Sequence, residues 1–277
     1  MGITIKSAAV ERDGAVLHCC MRGAGSPLLM IHGVICDGDF FCGAAELLAQ
    51  RHTVITYDRR GYSRSTGTPV DEFWKTQAED AAAVLRELAF GVPAVVVGCS
   101  AGAIIAMKLA ELYPELVDCL ILHEPPLLSL LPKDHPAFET ADKINQFVAE
   151  GKFHRAINRF LLLIGEQDER APEKRVEVAE REMRNMEYFI KYEFGDTFSA
   201  EEPPRVPKGV PVILGAGDAH RENYHYYLVH QLGEAMGYPV VHFPGVHNCA
   251  YDIPQDFAVM VEGIISCFTR SGQVSDR

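Results

Sequence analysis

The chain of 277 residues is long enough to form one sizeable hydrophobic core, with room for a smaller inserted subdomain. Its composition, with 48% hydrophobic and 23% charged residues, is that of a soluble globular protein and excludes a disordered or fibrous one. The net charge of −12 argues against nucleic acid or an anionic membrane as a partner, because both require a basic surface, and it favours a small neutral or weakly charged organic substrate.

The first residues of the chain predict a β-hairpin. Apolar and polar residues alternate over 3–10 and 14–22, and the pair Asp13-Gly14 between them is a turn signal. Residues 1–6 lack the long apolar core of a signal peptide, and no run approaches the ~18 apolar residues that a membrane span requires. We therefore expect a cytoplasmic protein with no membrane partner.

From residue 27 onward, apolar runs of strand length alternate with amphipathic stretches of helix length. This alternation predicts a mostly parallel, twisted sheet with helices on both faces. The predicted strands are 27–31, 53–57, 93–98 and 117–123, and the predicted helices between them are 39–50, 73–89 and 101–113.

A helical segment interrupts this alternation. From residue 125 to about residue 207 the chain shows helical periodicity and no convincing strand, which predicts a helical cap inserted into the sheet domain. We therefore divide the chain into an α/β core, 1–124 and 208–277, and a cap, 125–207. The clearest helical stretches of the cap are 140–150, 153–164 and 172–192.

The alternation of strands and helices resumes after the cap. It ends in a short polar tail from Ser271, which we expect to fray. The predicted strands of this part are 210–215 and 240–243, and the predicted helices are 221–236 and 254–268.

The cysteines and histidines do not indicate a metal. The eight cysteines are scattered and lack the two C-x-x-C clusters of a zinc site, so we expect reduced thiols. His220, His225 and His230 are spaced five apart, which turns them to different faces of a helix. We predict neither a metal nor another cofactor, and the sequence leaves a homodimer open.

Ser100 is the candidate nucleophile. It lies in Gly98-Cys99-Ser100-Ala101-Gly102, directly after an apolar run of strand length and directly before a helix-forming stretch. A strand, a sharp turn and a helix with a serine at the apex would lift the hydroxyl above the sheet edge. The glycines two residues on either side would let the strand and the helix approach closely.

A serine hydroxyl is a poor nucleophile unless a base accepts its proton and a carboxylate orients that base. His247 is the candidate base, because it lies in a glycine-containing loop after the last predicted strand. Two carboxylates could orient it. Asp218 ends the strand that follows the cap, and Glu124 ends the strand that precedes it. Both on one imidazole would repel each other, so we expect one of the two to be the triad acid.

The serine turn, together with the sequence His123-Glu124-x-Pro126, resembles the lactone-cleaving α/β-hydrolases of the zearalenone hydrolase group. The resemblance covers about 27–124 and 209–265. It implies an α/β-hydrolase fold and a glutamate as the triad acid, and so it favours Glu124 over Asp218. The chain departs from the group in keeping Asp218, where the lactone hydrolase has no carboxylate, and Asp218 therefore stays open.

A second turn, around Gly61, resembles one that many capped α/β-hydrolases carry behind the active site. We expect its Arg59, Arg60 and Arg64 to form structural ion pairs within the turn rather than to contact substrate. The residue His32, which follows the first parallel strand, is expected to contribute mainly its backbone.

These residues predict a serine hydrolase that cleaves a carboxylic ester or a lactone through an acyl-enzyme. The backbone N–H groups of Val34 and Ala101 are the expected oxyanion hole. A serine nucleophile argues against epoxide hydrolase and haloalkane dehalogenase chemistry, which in this fold begins with an aspartate. The alternatives are a ligand sensor with a slow or vestigial triad, and a carbon–carbon bond hydrolase or cofactor-free lyase or oxygenase on the same fold.

Overall fold

The computed structural model describes residues 4–164, 176–197 and 203–272. Its centre is an eight-stranded sheet with the strand order β1-β2-β4-β3-β5-β6-β7-β8, in which β2 is antiparallel to β1 and β4, and the other neighbours are parallel. The strands are β1 Ile5–Arg12, β2 Ala15–Arg22, β3 Ser26–Ile31, β4 His52–Tyr57, β5 Ala94–Cys99, β6 Val117–His123, β7 Val212–Gly217 and β8 Val240–Phe243.

Helices cover both faces of this sheet because the central strands are apolar on both sides. In β5, Val96 packs into one apolar cluster, whereas its neighbours Val95 and Val97 pack into another on the opposite face. The core helices are α1 Cys42–Leu48, α2 Phe73–Leu88, α3 Ala101–Leu112, α8 Tyr224–Met236, the one-turn helix α9 Cys249–Asp252 and α10 Pro254–Gly272. Helices α2, α3 and α8 contribute to the first cluster, and α1 and α10 to the second. The predicted fold class, a mostly parallel sheet between two layers of helices, is confirmed.

A helical segment lies between β6 and β7. Its helices are α4 Pro136–Ala149, α5 Phe153–Ile164, α6 Val176–Tyr192 and α7 Phe194–Thr197. They share a third apolar cluster, to which Phe160, Phe189 and Phe194 contribute their rings. Among the described residues between β6 and β7 no strand occurs.

Element boundaries differ from the predicted ones by a few residues. Helix α4 begins at Pro136 rather than at 140, because proline fits the first helical turn and the His135 side chain accepts a hydrogen bond from the backbone N–H of Ala137. Helix α10 continues to Gly272, past the predicted end at 268. Residues 273–277 of the predicted tail, and 165–175 and 198–202 of the predicted cap, lie outside the described residues. No helix within the described ranges is long and apolar enough to cross a membrane.

A buried polar network fastens the helical segment to the sheet domain. Glu193, between α6 and α7, accepts hydrogen bonds from the Arg59 guanidinium at 3.0 Å and from the Tyr62 hydroxyl at 2.6 Å. The guanidinium lies 4.4 Å from the centre of the Tyr62 ring. All three side chains are almost completely buried, so this ion pair is shielded from solvent.

The arginines of the turn around Gly61 are all in ion pairs, but the prediction that the pairs lie within the turn is correct for one of them. Arg64 is bidentate to Asp58, with nitrogen–oxygen distances of 2.7 and 2.8 Å. Arg60 is bidentate to Asp80 of α2, and Arg59 pairs with Glu193. Sequence proximity could not reveal these two partners because they come from distant elements.

Candidate active site

Ser100 occupies the sharp turn between β5 and α3. Its backbone angles, φ 56° and ψ −128°, are rare for a residue with a side chain and cost roughly 1–3 kcal/mol. The turn is possible because no Cβ stands where the chains meet. A Cβ on Gly98 would lie 2.5 Å from the Gly102 carbonyl oxygen, and one on Gly102 would lie 2.1 Å from that of Ile31. The local geometry is therefore that of a nucleophile elbow, a strand-turn-helix that exposes its central side chain.

The loop that follows β3 lies directly against Ser100. A Cβ on Gly33 would be 2.9 Å from the Cβ of Ser100, so this position also requires glycine. Val34, the next residue, lines the same cavity as Ser100. Ala101 is the first residue of α3, where backbone N–H groups have no partner within the helix. Both residues of the predicted oxyanion hole therefore flank the serine.

His32 stiffens this loop through its imidazole as well as its backbone. Its Nε2 accepts the Arg59 backbone N–H at 3.0 Å, so Nδ1 carries the proton and donates it to the Gly33 carbonyl at 2.9 Å. Burial, supported by the nearby Arg59 charge, lowers the pKa of His32 to about 3. The ring is therefore neutral near pH 7. Because it holds the carbonyl of the Gly33–Val34 peptide, it fixes the direction in which the Val34 N–H points.

Glu124 and His247 meet above the end of β7. His247 Nδ1 lies 2.7 Å from one carboxylate oxygen of Glu124, and the other oxygen accepts the Gly217 backbone N–H at 2.8 Å. Glu124 follows β6 directly, with a left-handed φ of 48°, and its side chain passes over β7 where Gly217 has no Cβ. Burial opposes ionisation of Glu124, but the hydrogen bond from His247 and the neighbouring imidazoles of His123 and His247 outweigh it and lower its pKa to about 2.

The lowered pKa of Glu124 gives folding a pH dependence. Its pKa in the unfolded chain is near 4.5, so ionised Glu124 stabilises the folded state above pH 4.5, and this contribution is lost as the pH falls towards about 2. We expect the free energy of unfolding to fall more steeply over this interval in the wild type than in Glu124→Gln, measured by urea denaturation at stepped pH. Parallel curves would contradict an ionised Glu124 below pH 4.5.

Asp218 lies at the same sheet edge but in a different environment. Its side chain is exposed, and one carboxylate oxygen accepts the Gly245 backbone N–H at 3.3 Å. The structure therefore brings Glu124, and not Asp218, into hydrogen-bond contact with His247. The Asp218 carboxylate instead braces the loop that carries the histidine.

Ser100 and His247 line one cavity of about 40 Å³. Its walls include Val34 and Phe40 from the core, and Phe160 and Thr197 from the helical segment. Two larger cavities, of about 540 and 240 Å³, share lining residues with it. The first of these shares Val34 and Phe40 with it, and the second shares Pro126 and Thr197.

Sequence reasoning missed His225, which lines the same cavity. Its ring is stacked on the ring of His247, with 3.9 Å between the centroids and 16° between the planes. The topology contains the signal that could have found it. Helix α8 begins just beyond the carboxyl end of β7, so its first turn must lie at the same sheet edge as Glu124 and His247.

The described residues include one group of side chains with the spacing of metal ligands. His123, Glu124 and His247 offer ligand atoms that all lie within 4.8 Å of one another. Hydrogen bonds already engage two of these side chains with each other, and His123 Nε2 lies 3.4 Å from the Cys249 thiol sulfur. These contacts account for the closeness of the three side chains without an ion.

The amino-acid sequence matches a known protein family. Residues 26–161 match the family model described as the alpha/beta hydrolase fold. The uncharacterized hydrolase YraK of Bacillus subtilis (strain 168) is 32% identical over 255 residues, which cover 89% of this chain and 91% of YraK. A pimeloyl-[acyl-carrier protein] methyl ester esterase of Chromobacterium violaceum is 31% identical over 143 residues, 51% of this chain and 54% of the esterase.

A solved structure has the same fold over nearly the whole chain. Est816, described as an N-acyl homoserine lactone degrading enzyme, superposes with a TM-score of 0.68 and covers 92% of this chain and 99% of its own. Its sequence identity is 21%, so the likeness concerns the fold alone.

Proposed function

Because the chain belongs to the α/β-hydrolase family, we propose that it is a serine hydrolase that cleaves a carboxylic ester or a lactone. The observation that carries the proposal is the 2.7 Å hydrogen bond between Glu124 and His247, at a cavity that His247 shares with Ser100. A carboxylate, an imidazole and a serine hydroxyl on an exposed turn are the groups that acyl transfer to water requires.

In this reaction the Ser100 oxygen attacks the acyl carbon, and His247 Nε2 accepts the serine proton. Glu124 accepts a hydrogen bond from the Nδ1–H group of His247, which leaves Nε2 available as the base, and its charge stabilises the imidazolium that forms. The negative charge that develops on the acyl oxygen is bound by the N–H groups of Val34 and Ala101.

The imidazolium then protonates the leaving alcohol, and the carbon–oxygen bond of the ester breaks. Water attacks the resulting acyl-enzyme and gives a proton to His247. His247 then passes that proton to the Ser100 oxygen as the bond between this oxygen and the acyl carbon breaks, which releases the acid and free Ser100. In a lactone the alcohol stays attached to the acyl group, and the product is a hydroxy acid.

Two further observations support an ester or lactone as the substrate. The relative from Chromobacterium violaceum is named as a methyl ester esterase. The neighbouring cavity of about 540 Å³, which shares Val34 and Phe40 with that of Ser100, offers room for the remainder of a substrate whose scissile bond lies at the serine. We further propose that the helical segment between β6 and β7 acts as a cap over this site, since Phe160 and Thr197 form part of its wall.

A fluorophosphonate probe tests the nucleophile. We expect the folded protein to be phosphonylated once, at Ser100, as located by peptide mass spectrometry, and to hydrolyse p-nitrophenyl acetate. Ser100→Ala should take no label. Ser129→Ala is the matched control, because the Ser129 hydroxyl has no hydrogen-bond partner in the described part of the chain and lines none of the three cavities.

Label on another residue, or none, would contradict the proposal. Label at Ser100 without turnover of any ester or lactone would indicate a ligand sensor instead of a hydrolase.

A further inference from the structure

A second histidine is packed against the proposed base. His225 is 2% exposed, and its ring lies parallel to that of His247 at 3.9 Å between centroids. The Tyr224 ring also contacts His225, with 3.9 Å between the centroids and 33° between the planes. The proposed triad accounts for Ser100, His247 and Glu124, and it assigns no role to this ring.

His225 is held by a helix and not by a loop. The Asn223 side chain accepts the His225 backbone N–H at 2.9 Å and so caps α8. One and two turns further along, Leu228 and Leu232 are fully buried and anchor the helix in the core. The ring of His225 is therefore a fixed surface, whereas His247 lies in a loop between β8 and the one-turn helix Cys249–Asp252.

The hydrogen bond to Glu124 does not by itself orient the His247 ring. It fixes the position of Nδ1, but the ring plane also depends on the position of the His247 Cβ, which belongs to a loop, and a movement of that loop rotates the plane about the hydrogen bond and displaces Nε2. A flat partner against one face removes this rotation. Stacked aromatic pairs contribute roughly 0.5–1.5 kcal/mol beyond the area that they bury.

We propose that His225 is a positioning residue whose stacked ring sets the plane of His247, so that Nε2 faces Ser100 while Glu124 holds Nδ1. This inference rests on the proposed function, because it assigns His225 a role in activating the serine. It concerns the flat face of the ring and not its nitrogens. An aromatic ring without nitrogen should therefore replace it.

The rate of fluorophosphonate labelling measures this positioning without knowledge of the natural substrate. His225→Phe keeps the flat face, His225→Leu keeps the bulk without it, and His225→Gln keeps a polar N–H without it. We expect the maximal labelling rate of His225→Phe to stay within about threefold of the wild-type rate. The rates of His225→Leu and His225→Gln should fall roughly 10- to 100-fold. The probe concentration at half the maximal rate should be unchanged.

With p-nitrophenyl acetate as substrate, we expect kcat to fall in His225→Leu and His225→Gln and to stay near the wild-type value in His225→Phe. The KM should be unchanged in all three variants. A merely structural role would not produce this split, nor its rescue by Phe. Thermal unfolding and circular dichroism of each variant report whether it folds. If Leu does not fold, the comparison of Phe with Gln carries the test.

Three results would overturn the inference. They are a wild-type labelling rate in both His225→Leu and His225→Gln, a wild-type labelling rate in His225→Gln with a loss in His225→Phe, or a rise in KM at unchanged kcat. The last two would make His225 a substrate-binding residue. Failure of the proposed function is distinguishable, because wild-type protein would then not be labelled at Ser100 at all.

Discussion

Replacing Glu124 by glutamine lowers kcat for p-nitrophenyl acetate about 10⁴-fold, if it acts as the triad acid that we propose. The substitution keeps the size of the side chain but removes the charge that accepts the Nδ1 proton and stabilises the imidazolium. The amide can also donate a hydrogen bond to Nδ1, which places the proton on Nε2 and leaves it unable to accept one from Ser100. The measurement is steady-state kinetics at a pH where the wild type is maximally active.

Asp218→Asn is the matched control for this substitution. It makes the same chemical change at an exposed carboxylate at the same sheet edge, where the partner is the Gly245 backbone N–H. The amide oxygen can still accept that hydrogen bond, so we expect kcat to fall less than about tenfold. A larger loss in Asp218→Asn than in Glu124→Gln would make Asp218 the triad acid and overturn our choice.

Replacing Glu193 by alanine lowers the free energy of unfolding by about 3–5 kcal/mol. The change leaves the guanidinium of Arg59 buried without a counter-ion and removes the acceptor of the Tyr62 hydroxyl. Burial raises the pKa of Glu193, while the charge of Arg59 and the Tyr62 hydroxyl oppose that rise. Urea denaturation measures the loss.

Glu187→Ala, on the solvent side of α6, is the control for Glu193. Its carboxylate is 56% exposed and lies 3.6 Å from Lys191, so its loss should change stability by less than about 1 kcal/mol. The double variant Arg59→Met/Glu193→Leu should recover most of the stability, because it removes both buried charges together. Equal losses in Glu193→Ala and Glu187→Ala would contradict a role of the buried pair in docking the segment.

The sequence predicted the sheet well because strand and helix periodicity is a local property. The elbow at Ser100 was also predictable, since its glycines are required by the close approach of β5, α3 and the end of β3. The pattern of strands and helices did not separate Glu124 from Asp218, because both follow strands at the same edge and differ in side-chain direction. That direction depends on the gap over Gly217. The family resemblance alone favoured Glu124.

The features that the sequence did not predict are contacts between elements that are distant in the chain. The sequence places His225 inside a helix without showing which face of α8 meets the loop that carries His247. In the same way, the partners of Arg59 and Arg60 come from the helical segment and from α2. Such pairings depend on the packing of whole elements, which periodicity does not encode.

The position of the helical segment within the chain has an evolutionary consequence. Ser100, Glu124 and His247 all follow strands of the sheet, whereas Phe160 and Thr197 of the cavity wall belong to the segment. Substitutions in the segment can therefore change the wall of this cavity without moving Ser100, Glu124 or His247. Arg59 limits such changes. A segment without an acid at the position of Glu193 would leave the Arg59 guanidinium buried without a counter-ion, unless the arginine were replaced as well.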